Sequence, residues 1–266
     1  MYQKKSHGGL ESETGVVRIQ GVHKSFQNGK EQVLRGVSID FPKGKLTYIL
    51  GSSGAGKSVL LKHILGLIRP DRGEVWVEGK NLGNLNTREM ADVRIKFGMV
   101  FQNAALFDDL TVYENVAFPL REHTKLSESQ IRDKVKHMLD LLGMTRGLDK
   151  YPNELSGGMK KRVGVARAIV REPSILLYDE PTTGLDPVTK IMVDELIEKL
   201  KRELRLTSIV ISHDIPSALL LADEIAFLHH GEIIFFGTPS EFHESKHQAI
   251  QNFINAEKRS LRAFHV

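Results

Sequence analysis

Residues 51–58 read GSSGAGKS and follow the apolar run LTYIL (46–50). Glycines at 51, 54 and 56 let a backbone turn tightly and aim its N–H groups inward at phosphate oxygens. The loop feeds a helix start, whose dipole and N–H groups also favour an anion. Lys57 supplies a cation for the β- and γ-phosphates of a nucleoside triphosphate, and the Ser58 hydroxyl can ligate Mg2+. The expected nucleotide-binding set is Gly51, Ser52, Ser53, Gly54, Ala55, Gly56, Lys57, Ser58 and Val59. The bland alternative is a Gly-Ser loop that happens to end in Lys-Ser; it leaves the strand before and the helix after without a purpose.

ILLYDE (175–180) is the second half of such a site. Four apolar residues bury a strand and place Asp179 at its C-terminal end, where open α/β sheets bind ligands. Asp179 is expected to hold Mg2+, directly or through water, and Glu180 to orient and polarise an attacking water. Two solvated acids at a strand end are the competing reading. His213 in IVISHD ends the next strand and so can reach the γ-phosphate from the same sheet edge, although a lone histidine is more often structural. LSGGM (155–159) opens the helix KKRVGVARAIVRE. Ser156 is a natural N-cap, and Gly157 and Gly158 expose backbone donors, which makes a second anion-binding helix start in one chain.

These residues need a scaffold. β-type runs lie at 16–22, 36–41, 46–50, 74–79 and 97–102, with a helix over 58–67 stopped by Arg69-Pro70. Residues 103–155 change character: 127–143 has helical periodicity, Ser127 and Gln130 resemble a capping box, and Gly143 is a stop. From 156 the alternation returns as helix, strand ILLYD, helix 189–204, strand SIVIS, helix, then strands EIAFLHH and EIIFFG. Alternating strands and helices imply an α/β fold with a mostly parallel sheet. The early antiparallel-looking strands imply a smaller β layer, and 103–155 a helical insertion. His229 and His230 are neighbours in a strand, expected on opposite faces, and so make a poor metal site.

The chain has 266 residues, 41% apolar and 26% charged, with net charge +4 and no cysteine. That suits one large domain with a soluble surface, excludes disulfides and thiolate metal sites, and is too mildly basic for a nucleic-acid footprint. No apolar run approaches the roughly 20 residues of a membrane span. Residues 1–15 read as a flexible tail without a signal peptide. Work at a membrane therefore calls for another chain to cross it.

LSGGM between the two phosphate motifs resembles the ABC ATPase signature LSGGQ, and the resemblance covers roughly residues 16–240. It implies a P-loop NTPase fold of ABC type, with a single ATP-binding domain over 16–240, a helical subdomain near 103–155, and a C-terminal helix and tail over 241–266. It further implies ATP and Mg2+ as ligands, ATP hydrolysis as the activity, and a head-to-tail homodimer. In that dimer Ser156, Gly157, Gly158, Met159 and Asp186 of one copy meet the nucleotide of the other. Phe26 resembles the aromatic residue that stacks on adenine, although an aromatic near a strand end is more often core. Gln102 resembles the glutamine that approaches Mg2+ and the attacking water, and His213 the switch histidine. Lys57, Gln102, Glu180 and His213 form the expected catalytic set, and Ser58, Gln102 and Asp179 the metal set. Met159 departs from the usual glutamine while leaving the serine and both glycines intact.

FQNAALFDDLTVYENVAFPLREHT (101–124), together with the LSGGM variant, is similar to the ATPases of the maintenance-of-lipid-asymmetry and related Mce-type systems. Those drive lipid movement between bacterial membranes through an integral permease and an MCE lipid-binding protein, some with a STAS-domain partner. This implies a peripheral protein on the cytoplasmic face of the inner membrane that binds no nucleic acid. The alternatives are an importer of a small solute such as an amino acid and, more remotely, a non-transport ABC ATPase. Against the latter, the chain carries one cassette, and the stretch 103–155 is too short for a long coiled coil. The C-terminal segment is read either as a helix with a frayed tail or as a docking tail through Leu261 and Phe264.

Overall fold

Strands and helices alternate through most of the protein, whose computed structural model describes residues 15–27, 29–144 and 146–263. The first part of the chain forms β1 (Val17–Phe26), β2 (Glu31–Phe41), β3 (Leu46–Leu50), α1 (Lys57–Ile64), β4 (Arg72–Val77), β5 (Lys80–Asn81) and α2 (Thr87–Arg94). Then follow β6 (Phe97–Val100), α3 (Val112–His123), α4 (Glu128–Leu141), α5 (Gly157–Ile169), β7 (Ile175–Asp179) and α6 (Pro187–Leu204). The chain continues through β8 (Thr207–Ser212), α7 (Ile215–Leu221), β9 (Glu224–His229), β10 (Glu232–Gly237), α8 (Pro239–Glu244) and α9 (Gln248–Ala263). These elements sort into two compact units, one formed by the described residues up to Arg94 together with those from Thr207 onward, the other by Ile95–Leu206.

In the first unit β1 lies between β2 and β4 in an antiparallel sheet of order β2-β1-β4-β5. Val17, Ile19 and Val22 of β1, with Val37, Ile39 and Phe41 of β2, are buried, the mark of a sheet with one face on the core. β3 pairs in parallel with β8, from Leu46↔Ser208 to Leu50↔Ser212, and with β9, from Thr47↔Glu224 to Leu50↔Phe227. All five residues of β3 are buried, Thr47 among them, which is why it reads as a nearly continuous apolar run rather than an alternation. β10 closes antiparallel on β9. α9 turns Ile250 and Ile254 inward, and Phe253 sits 5.0 Å from the Phe227 ring of β9.

In the second unit β6 and β7 pair in parallel from Phe97↔Ile175 to Val100↔Tyr178. Helix starts there are set by reciprocal caps. Thr111 and Glu114 form a capping box for α3, and Ser127 and Gln130 form the expected one for α4. Gly143, at φ 67°, ends α4, and the Met144 N–H returns to the Leu139 carbonyl at 2.7 Å. The α/β class, the dominance of parallel pairing and the separate antiparallel sheet all agree with the sequence.

Three local expectations change. α1 stops before Arg69-Pro70, because Gly66 takes φ 60° directly after Leu65. α2 is an additional helix, whereas α3, with Pro119 inside it, falls within the stretch 103–155 expected to be helical. His229 and His230 do not face opposite sides: β9 ends at His229, His230 turns at φ 48°, and the two rings lie 4.2 Å apart. The expected N-terminal tail (all but Gly15), the Leu261 side chain and Phe264 lie outside the described residues.

Candidate active site

The glycines of the phosphate loop serve two different physical needs. Gly54 and Gly56 take φ 77° and 104°, the left-handed region that side chains resist. Gly51 does not; a Cβ there would collide with the Leu228 carbonyl oxygen of β9, so close backbone approach is its requirement. Gly56 is the N-cap of α1 and brings no side-chain cap to it. The first turn of α1 therefore presents main-chain donors rather than a capped end. Ser52, Ser53, Gly54 and Ser58 are exposed along the loop, whereas Ala55 and Lys57 are buried and Val59 half-buried. Lys57 Nζ folds back over its own loop and donates to the carbonyls of Gly51 at 2.7 Å and Ser52 at 3.1 Å.

His213 leaves the same sheet edge. Leu50 and Ser212 are opposite in the parallel register, so the next residues, Gly51 and His213, emerge side by side. His213 is exposed, and the backbone after it is pinned by Asp214, the N-cap of α7. The Asp214 carboxylate accepts from the Ser217 N–H at 3.3 Å and from its hydroxyl at 2.9 Å. Phe26 ends β1 opposite Glu31 of β2 and is 38% exposed. Two residues further along, β2 presents the Val33 carbonyl to Gly56, 3.2 Å from where a Cβ would sit.

The second unit carries the remaining residues. Ile175, Leu176, Leu177 and Tyr178 are fully buried, which anchors Asp179 at the end of β7. Glu180 follows at φ 49°, an uncommon conformation for a residue with a Cβ. Its carboxylate accepts from the Thr183 hydroxyl at 2.9 Å. Backbone strain of this kind concentrates at functional sites. Ser156 caps α5 as expected, its oxygen accepting from the Met159 N–H at 3.3 Å. The bond uses the main chain of Met159, so the cap does not depend on that side chain. Added Cβ atoms at Gly157 and Gly158 would meet nothing, so the backbone there is open to an approaching group. Asp186 caps α6 by accepting from the N–H groups of Val188 and Thr189, each at 3.0 Å. The Thr189 side chain first, and then those main-chain bonds, hold its carboxyl below the usual carboxylate range.

Lys161 is a residue the sequence did not single out. Its ammonium donates to the Gln102 carbonyl and, at 3.0 Å, to that of Pro181, the residue after Glu180. Burial lowers its pKa. Gln102 itself is exposed, while Ala104 behind it packs on Gly164 of α5 and gives its carbonyl to Arg167 at 3.1 Å. Residues 161, 164 and 167 follow the three-residue spacing of one helix face, so α5 carries the loop after Gln102 on the helix that LSGGM opens. Nothing in the run Lys160-Lys161-Arg162 marks the middle one as buried.

Residues 34–183 match the family model described as ABC transporter. The chain belongs to the ABC transporter family. It is similar to the probable ribonucleotide transport ATP-binding protein mkl of Mycobacterium leprae, 38% identical over 91% of this chain and 70% of that one. It is also similar to the intermembrane phospholipid transport system ATP-binding protein MlaF of Haemophilus influenzae, 39% identical over 90% of each. Among solved structures, the dimeric post-hydrolysis state of the ATP-binding cassette MJ0796 with ADP and Pi is similar at TM-score 0.74 and 33% identity. That likeness covers 84% of this chain and 98% of MJ0796. This ABC ATPase thus binds and hydrolyses ATP. Among its described residues no helix is long and apolar enough to cross a membrane.

Proposed function

We propose that this ABC ATPase powers the movement of phospholipid or a related lipid through a separate integral permease, working with an MCE lipid-binding protein and, where present, a STAS-domain partner. The observation that carries the reading is the 39% identity to the phospholipid-transport protein MlaF over nine-tenths of both chains. The stretch 101–124 and Met159 support it. The protein would sit peripherally on the cytoplasmic face of a bacterial inner membrane.

The proposed chemistry is positioning and charge stabilisation. Phe26 stacks on adenine. The loop 51–59 wraps the phosphates, and Lys57 exchanges the carbonyls of Gly51 and Ser52 for phosphate oxygens. Mg2+, when bound, offsets phosphate charge. The Ser58 hydroxyl, the Asp179 carboxylate and the Gln102 amide would hold it, a hard-oxygen set too small to cage the ion without phosphate, as is usual for Mg2+. Glu180 orients the attacking water and takes its proton, and His213 contacts the γ-phosphate. Two copies pair head to tail, so that Ser156, Gly157, Gly158, Met159 and Asp186 of one copy close over the nucleotide of the other. MJ0796, a cassette of this fold, is described as dimeric. Bonds to the γ-phosphate exist only while it is attached, which couples closure to hydrolysis.

The relative named for ribonucleotide transport keeps a small-solute cargo as the second reading. Gentle solubilisation of source membranes, capture of this protein and mass spectrometry of co-purified proteins and lipids separate the two. An MCE protein, a permease and enriched phospholipid support the lipid reading. A permease with a small-solute binding protein and no lipid enrichment rejects it and leaves the ATPase chemistry standing.

A further inference from the structure

We infer that Asp71 is a positioning residue for the adenine platform, holding Phe26 at a fixed place relative to the phosphate loop through Lys24 and the Ser25 backbone. The inference rests on the proposed role of Phe26. The Asp71 N–H donates to the His23 carbonyl at 2.9 Å, and β4 itself begins only at Arg72. Beyond that point β1 has no strand on this side, yet it continues for three more residues to Phe26.

The Asp71 side chain stands in for the missing strand. One carboxylate oxygen accepts from the Ser25 N–H at 2.6 Å. The other accepts from Lys24 Nζ at 2.7 Å, and the same ammonium donates to the Arg69 carbonyl at 3.0 Å. Lys24 Nζ also lies 5.6 Å from the centre of the Phe26 ring. A single carboxylate therefore fixes the backbone immediately before Phe26 and the cation beside its ring. Lys24 and the Ser25 N–H together hold that carboxyl below its usual range.

The position of Asp71 gives the clamp its purpose. It lies in the turn that carries the chain from the end of α1 into β4, and α1 begins at the phosphate loop. The Lys24–Asp71 bridge thus ties the strand end bearing the base platform to the segment bearing the phosphate cradle. One nucleotide must span both, so the distance between them selects for a base attached to a triphosphate. With 42% of the Asp71 side chain exposed, the ion pair adds little to stability; its value lies in geometry.

The test is direct binding of Mg-ATP and of inorganic tripolyphosphate, which has no base, to the full chain, to three single variants and to one double variant, with melting temperature measured alongside. Asp71→Ala is expected to weaken ATP about tenfold, the scale of a lost base–aromatic stack, and to leave tripolyphosphate affinity unchanged. Asp71→Asn, which keeps an acceptor for Ser25, is expected to fall between. Phe26→Ala should reproduce the Asp71→Ala pattern, and adding Asp71→Ala to it should weaken ATP no further. If Phe26→Ala weakens ATP while Asp71→Ala does not, the clamp is overturned and the platform stands. If Phe26→Ala leaves ATP affinity intact, the platform reading fails and the inference with it. Equal loss of ATP and tripolyphosphate in Asp71→Ala would mean a general disturbance and would also overturn the positioning role.

Discussion

Lys161 Nζ donates to the Pro181 carbonyl at 3.0 Å, and the same buried ammonium also holds the carbonyl of Gln102. One side chain of the LSGGM-bearing helix thereby secures the main chain beside two residues assigned to hydrolysis. Replacing Lys161 with Met keeps most of the stem but leaves two carbonyls without their donor, at about 1–3 kcal/mol for each group that water cannot reach. Urea unfolding should show that loss, and ATPase turnover should fall more than ATP affinity. Unchanged turnover in a destabilised Lys161→Met would confine the residue to a structural role.

The glycines of the phosphate loop should differ in their tolerance of alanine. Gly51→Ala drives a methyl into the Leu228 carbonyl, a backbone atom that cannot rotate away. The expected cost exceeds about 2 kcal/mol, in the range of severe single substitutions. Gly54→Ala meets no neighbour and has only its φ of 77° to accommodate, so about 1 kcal/mol is expected. Urea midpoints of the two variants should keep that order, and the reverse order would contradict the close-approach argument.

His63 predicts an acid-side loss of stability. It is buried on α1, with Nδ1 donating to the Val59 carbonyl at 2.7 Å and Nε2 meeting no partner. Burial pulls its pKa below 6.5 and the nearby Lys24 pulls the same way, against the opposing Val59 carbonyl, Asp71 and the Arg69 carbonyl. The unfolded chain therefore takes up a proton near pH 6.5 that the folded chain refuses until lower pH. The His63 contribution is fully present above that value and declines as pH falls toward the folded pKa. Urea midpoints at pH 7.5 and 5.5 should be closer together in His63→Leu than in the parent; equal spacing would count against it.

Much of the chemistry was legible because phosphate binding demands particular residues in contiguous order. GSSGAGKS, ILLYDE and LSGGM each sit beside the strand or helix they require, and the Ser127–Gln130 cap declared itself by spacing. What escaped depends on tertiary context. Lys161 sits between two other basic residues and looks solvated until its burial is seen. Pro119 obscured α3, although Thr111 and Glu114 form the same kind of cap that revealed α4. The His229–His230 pair followed strand alternation only on paper, because the strand ends between them. Asp71 follows Arg69-Pro70 with nothing in the sequence to mark its partners, and only the end of the β1–β4 ladder shows which N–H it takes.

In the proposed mechanism Glu180 activates water for hydrolysis of ATP held between two copies of this chain. The most direct test of this mechanism pairs phosphate release with light scattering for Glu180→Gln in Mg-ATP. The predicted result is a stable ATP-bound dimer whose phosphate release falls by about 10² or more, the scale for losing a general base. Turnover at the parent rate, or an absence of ATP-dependent dimer, would contradict it.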